Sequence, residues 1–148
     1  MEIRNITKIV RNMILYKNSV DKELTNLNEN EFEMLRYITK RDFRSFSEVT
    51  NYLNVDKGLV TRMSKKLVSL GYTTIESDSN DMRKKLMKAT AKALEIKNEV
   101  YDHEMEFYNA CVQVLSDLER EEFLKLLDKV YLESKRLRKT GFMELKHE

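Results

Sequence analysis

Residues 46–72 read FSEVTNYLNVDKGLVTRMSKKLVSLGY, and the spacing of their apolar positions decides the fold. Val49, Leu53 and Val55 are followed by Val60, Met63, Leu67 and Leu70, so two helices can each bury one face against a shared core. Asp56 is the expected N-cap of the second helix, its carboxylate accepting amide hydrogens of the first turn. Gly71 ends that helix, and Tyr72, Thr73, Thr74 and Ile75 favour extended chain. A turn-prone run, Ser77 to Asp81, separates this strand from Lys85, Leu86, Met87 and Lys88. From Ser45 to Thr90 the order is therefore short helix, tight turn, longer basic helix and two-stranded hairpin, with DMRKK (Asp81 to Lys85) at the hairpin tip. That order is a helix-turn-helix followed by a wing.

The free face of the second helix carries Lys57, Thr61 and Lys65 at intervals of four, with Arg62 and Lys66 beside them. Such a mixture of polar readers and cations suits the major groove of duplex DNA, where Arg forks onto guanine and Thr meets either base type. Whole-chain charge is only +2, but its distribution is uneven. Residues 56–92 hold nine basic against four acidic residues, a local +5 that leaves −3 for the remainder. A concentration of this kind is the electrostatic footprint of a surface that meets phosphates.

On these residues the chain resembles the MarR family of winged helix-turn-helix transcription regulators. The family pattern of short helix, turn, recognition helix ending Leu-x-x-x-Gly and wing of the form Asp-x-x-Asp-x-Arg is met by Asn54-Val55-Asp56, by Leu67 to Gly71, and by Asp78, Asp81 and Arg83. The resemblance spans the whole length. Gly58 stands where such helices often carry a hydroxyl residue, Ser79 where the wing often has Pro, and Ala93 where Gly usually follows the Thr after the wing. The resemblance implies a sequence-specific DNA-binding regulator, a repressor on a palindromic operator. No cofactor is expected, and with no phosphate-binding glycine loop, no Ser or Cys paired with His in a recognisable frame and only three glycines, no enzymatic activity is expected either. The residues expected at double-stranded DNA are Ser47, Lys57, Gly58, Thr61, Arg62, Lys65, Lys66, Asp81, Arg83, Lys84 and Lys85, with Arg83 entering the minor groove and Asp81 holding it. Ser45 and Ser47 serve equally well as capping residues. A protein-binding winged helix, or an architectural DNA-binding factor without an effector, is the alternative reading.

The expected fold class is mainly α with a small β-hairpin wing, in a single domain over 1–148. The winged lobe occupies about 28–90, and helical dimerisation regions occupy about 1–27 and 91–140. A first helix over about Ile3 to Leu24 has an apolar stripe of Ile6, Val10, Met13 and Ile14, continued by Val20 and Leu24. Asn28 with Glu31, Ser45 with Glu48 and Ser116 with Glu119 are capping-box patterns that mark three helix starts. A long helix runs from Thr90 to about Leu115, with Leu94 and Tyr101 on one side and Ile96, Val100, Phe107 and Cys111 on another. A final helix carries Phe123, Leu126, Leu127, Val130 and Leu137, and the chain is expected to fray from Thr140. These flanking helices are too apolar to stand alone, and a homodimer covers them while placing two recognition helices about one DNA turn apart.

At 148 residues, 41% hydrophobic and 35% charged, the chain is long enough for a core and leaves a broad polar surface. No run approaches a membrane span and the start MEIRNITKIVRN lacks the apolar stretch of a signal peptide, so a cytoplasmic protein with no membrane partner is expected. Cys111, beside Phe107, Tyr108, Val112 and Leu115, reads as a buried small hydrophobe without a neighbouring cation to activate it. His103 and His147 are too few for a zinc site, and His103 with Glu104 and Glu106 reads as surface. Lys135, Arg136, Arg138 and Lys139 complement the C-terminal dipole of the last helix. The family's small aromatic or phenolic effectors bind between the dimer helices and the winged lobe. Tyr16, Tyr37, Arg11 and Tyr108 are candidate lining residues for such a crevice here, equally suited to core or rim packing.

Overall fold

The computed structural model describes residues 1–20 and 26–146. Its elements are α1 (Asn5–Val20), α2 (Glu29–Thr39), β1 (Arg44–Ser45), α3 (Phe46–Leu53), α4 (Lys57–Ser69), β2 (Thr73–Ser77), β3 (Lys85–Ala89), α5 (Ala91–Val112) and α6 (Asp117–Lys139). A 3₁₀ turn at Met143–Leu145 follows. Two compact units emerge, Met1–Phe107 and Tyr108–Glu148, and the boundary falls within α5.

All three capping boxes form. Asn28, Ser45 and Ser116 each accept the amide of the glutamate three residues on, and that glutamate's side chain accepts the cap's own amide. The caps hold Glu48 and Glu119 ionised, because a carboxylate accepting backbone N–H groups keeps its charge: both carboxyls lie below the ordinary carboxylate value, chiefly through the amides of Ser45 and Ser116 respectively.

In the first unit the two-helix core predicted from spacing is present. Val49, Val60, Met63 and Leu67 are buried with Met34, Leu35 and Ile38 of α2, while Leu53, Val55 and Leu70 pack partly buried against them. The turn between α3 and α4 pivots on Asn54, whose φ of 55° is left-handed, a conformation Asn tolerates better than most residues. The end of α4 is a Schellman motif: Tyr72 N–H donates to Leu67 O at 2.9 Å, Gly71 N–H donates to Val68 O at 3.0 Å, and Gly71 takes φ +82°.

The sheet is larger than the predicted two-stranded hairpin. It has three antiparallel strands in the order β1-β3-β2, with Thr73 opposite Ala89 and Ser77 opposite Lys85 in the wing, and Arg44 opposite Met87 and Ser45 opposite Leu86 at the added edge. Two residues show no period-2 pattern, so β1 exists only through its pairing with β3. Arg44 is buried there with its guanidinium 3.8 Å from the centre of the Tyr37 ring, and Tyr37 in turn stacks on Tyr52 at 4.0 Å.

The flanking helices depart from expectation in instructive ways. The first helix ends at Val20 in the described chain, and the predicted continuation to Leu24 lies outside the described residues. On it only Met13 and Lys17 are buried, whereas Ile6, Val10 and Val20 are exposed. The α5 helix ends at Val112 rather than Leu115. In the second unit α6 buries no residue at all, and Phe123, Leu126, Leu127 and Val130 are exposed. Cys111 is exposed too, correcting its reading as a buried hydrophobe: Phe107, Tyr108, Val112 and Leu115 are partly buried, but Cys111 lies on a side of the helix that they do not cover. The chain does not fray at Thr140. A second Schellman motif, with Gly141 N–H to Arg138 O and Phe142 N–H to Leu137 O, turns it back into the 3₁₀ turn. There Arg136 is gripped between Glu133 and Glu144, which keeps both carboxyls ionised below their ordinary range. Arg136 therefore does more than complement the helix dipole.

Candidate nucleic-acid interface

Asp56 caps α4, accepting Leu59 N–H at 2.8 Å, so the first turn of the helix is fixed and its outward residues are held in register. Lys57, Gly58, Thr61, Arg62, Lys65 and Lys66 are all exposed on that helix, opposite Val60, Met63, Ser64 and Leu67. Among the described residues, nothing engages the cationic groups of Lys57, Arg62 and Lys65. Thr61 spends its hydroxyl hydrogen on Lys57 O at 2.9 Å, leaving its methyl and lone pairs for a partner. Gly58 keeps the first turn open: a Cβ there would lie 3.1 Å from Asp56 Oδ1 and 3.4 Å from Arg62 Nη1. Lys66 behaves differently from its neighbours. Its ammonium sits 2.8 Å from Oε1 of the buried Glu31.

The wing is closed at its base by Asp78 N–H to Lys84 O at 2.8 Å and shaped within by Lys84 N–H to Asp81 O at 2.9 Å. Arg83 projects from this loop with its side chain 94% exposed, and Asp81 Oδ1 accepts both its backbone N–H, at 3.1 Å, and its Nε, at 3.3 Å. The Asp81–Arg83 pairing foreseen from the sequence is thus present. Lys84 is exposed, and Lys85 donates to Ser77 Oγ across the hairpin at 3.2 Å. Two further cations of the basic segment are occupied, Lys88 by Glu76 at 3.3 Å and Lys92 by Leu70 O at 2.7 Å. Ser45 is a buried cap, while Ser47 is exposed on the first turn of α3.

A separate cavity of about 350 Å³ opens between α1, the start of α2 and α5, lined by Ile14, Lys17, Asn18, Leu27, Asn28, Glu29, Phe32, Val100 and His103. None of Tyr16, Tyr37, Arg11 and Tyr108 lines it. Tyr37 belongs to the Arg44 and Tyr52 stack, and Tyr16 packs on Phe107 with ring centres 5.7 Å apart. Lys17 is buried with its ammonium 3.4 Å from Glu104 and 3.9 Å from Glu29, and His103 Nδ1 is buried without a hydrogen-bond partner. Sequence reading passed over this cavity, although a signal was present. Lys17 falls on the apolar stripe four residues after Met13, and His103 falls on the Ile96 and Val100 stripe.

No helix among the described residues is long and apolar enough to cross a membrane, and no group of three or more His, Cys, Asp or Glu side chains among them is placed to hold a metal. His147 lies outside the described residues.

An exposed cationic helix following a tight turn, with a charged β-hairpin beside it, defines a winged-helix DNA-binding protein, and residues 27–93 match the family model of a winged helix DNA-binding domain. Over nearly its whole length the chain is similar in fold to MarR proteins of known structure. It is similar over 97% of its length to 91% of a MarR protein from Peptoclostridium difficile, at 27% identity and a TM-score of 0.70. The reduced form of MarR from E. coli is 24% identical, with 88% of this chain and 96% of that one covered and a TM-score of 0.72. NadR in complex with 4-hydroxyphenylacetate is 21% identical, with 90% and 89% covered and a TM-score of 0.64. Among curated proteins no sequence match was found.

Proposed function

We propose that this regulator is a cytoplasmic repressor that binds a palindromic operator as a homodimer and is released by a small aromatic or phenolic acid. The observation that carries the reading is the outward face of α4, where Lys57, Arg62 and Lys65 stand exposed and unengaged beside Gly58 and Thr61. In this reading α4 enters the major groove, Arg62 reads a guanine edge, Ser47 donates to phosphate, and Arg83, aimed by Asp81 and flanked by Lys84 and Lys85, enters the adjacent minor groove.

The exposed apolar residues of α1 and α6, among them Ile6, Val10, Phe123, Leu127 and Val130, support a partner copy, since surface of this kind in water favours association. The cavity beside Lys17 supports an effector: its apolar lining of Ile14, Leu27, Phe32 and Val100 suits a ring, and a carboxylate there would compete with Glu104 and Glu29 for the Lys17 ammonium. The deciding experiment is selection of bound duplexes from a random pool by the purified protein. A two-fold symmetric consensus with half-sites about one helical turn apart is expected. Recovery of no enriched sequence, or a sedimentation-equilibrium mass near the single-chain 17.7 kDa, would count against the dimeric repressor.

A further inference from the structure

Lys66 is set apart from the cations around it by one oxygen atom. Its Nζ lies 2.8 Å from Oε1 of Glu31, whose side chain is only 6% exposed, and the same Oε1 accepts the backbone N–H of Asn28 at 2.8 Å. A single carboxylate oxygen thereby joins the first turn of α2 to the flank of α4, 35 residues further along the chain. Burying a carboxylate this deeply is costly unless a cation meets it, and Lys66 is the cation that does so.

The other restraints on α4 act through its inner face and its ends. Its inner face is apolar, with Val60, Met63 and Leu67 packed in the core. Its C-terminal end is tied down by Lys92 to Leu70 O and by Thr90 Oγ1 to Gly71 O, both at 2.7 Å. Packing of the inner face sets the angle at which the outer face points only as closely as the side chains fit one another, and an ion pair on the flank adds a directional restraint to it. Lys66 follows Arg62 by four residues, a neighbouring position about 40° around the helix, so what holds one orients the other.

We propose that Glu31 and Lys66 are positioning residues that set the rotation of α4 against the duplex, so that Lys66 serves DNA binding through Glu31 and not through a phosphate. The proposal rests on the reading in which α4 faces the DNA.

The test compares wild type with Glu31→Gln, Lys66→Met and the double variant. Binding is measured on a duplex selected by the wild-type protein and on a random-sequence duplex, over a range of salt. Glutamine keeps an oxygen for Asn28 N–H and removes the charge. Coulomb attraction alone would make Glu31→Gln bind DNA more tightly, since a negative group near phosphates is gone. A positioning role gives the opposite sign: a loss of roughly tenfold on the selected duplex, much less on the random one, with the double variant no worse than either single. The salt slope stays that of the wild type.

Loss on both duplexes alike for Lys66→Met, with a salt slope smaller by about one, would make Lys66 a phosphate contact and overturn the proposal. So would unchanged or tighter binding by Glu31→Gln. Melting curves establish that each variant is folded at the assay temperature. If Glu31→Gln is not, the slope and the duplex ratio of Lys66→Met decide alone. Arg62→Ala separates the two readings. If it binds the selected duplex as wild type does, α4 is not the DNA-facing helix and the positioning role falls with it. If it binds weakly while Glu31→Gln is normal, only the positioning role is lost.

Discussion

Asp81 holds Arg83 by two hydrogen bonds to one oxygen: its Oδ1 lies 3.1 Å from the arginine's backbone nitrogen and 3.3 Å from its Nε. Among the described residues the two terminal nitrogens of the guanidinium make no hydrogen bond, and they are the half of the group that forks onto a phosphate or lies in a narrow groove.

Arg83→Ala removes a side chain that is almost wholly exposed, so folding stability should change by no more than about 0.5 kcal/mol. DNA affinity should fall, most on duplexes with A·T-rich flanks. Thermal melting paired with titrations on two flank compositions checks this, and a variant that melts several degrees lower while binding normally would make the arginine structural.

Arg62→Ala should cost on the order of 1–3 kcal/mol on the selected duplex and relax preference at one position per half-site. Lys84→Ala, on the exposed wing, should weaken binding almost equally across sequences. Repeating the random-pool selection with each variant distinguishes the two effects, and equal losses on specific and random DNA for Arg62→Ala would remove its reading role.

Leu67 is fully buried in the core on the inner face of α4, and Leu67→Ala should destabilise the protein by about 2–5 kcal/mol through lost burial and the cavity left behind. Denaturant unfolding measures this directly. A change below about 1 kcal/mol, in the range of surface substitutions, would mean that α4 is not seated on the core as described.

The carboxyls of Glu48, Glu119, Glu133 and Glu144 are all lowered from the ordinary 4.5 in the folded chain, by the Ser45 and Ser116 amides and by Arg136. Groups with depressed values bind fewer protons folded than unfolded. Their contribution is therefore complete above about pH 4.5 and is lost as the pH falls through the lowered values. Melting temperature against pH should drop on the acid side, and Glu48→Gln, which removes one such group, should flatten that drop. An identical acid limb in the variant would show that Glu48 does not contribute.

What the sequence disclosed was local. The capping boxes at Asn28, Ser45 and Ser116 involve residues three apart, and the burial of Val49, Val60, Met63 and Leu67 follows helical spacing. The Asp81–Arg83 pair spans two residues and was equally readable. What stayed hidden depends on partners distant in the chain. Strand β1 exists because Arg44 and Ser45 meet Met87 and Leu86. Lys66 looked like one more phosphate-seeking cation because Glu31, its partner, is already explained as a cap. Cys111 looked buried because apolar neighbours in sequence imply cover only if another surface supplies it.

The bond from Asp78 N–H to Lys84 O closes the wing tip at its own base, so the strands beyond it take their register from each other and not from the loop. The tip is in that sense a cassette. Lengthening the loop over 79–83 should disturb the sheet little, since extending a closed surface loop costs only about 0.6 kcal/mol per doubling. If the wing meets DNA as proposed, editing these five positions should retune which flanking sequences are favoured while α4 and the core that carries it remain unchanged.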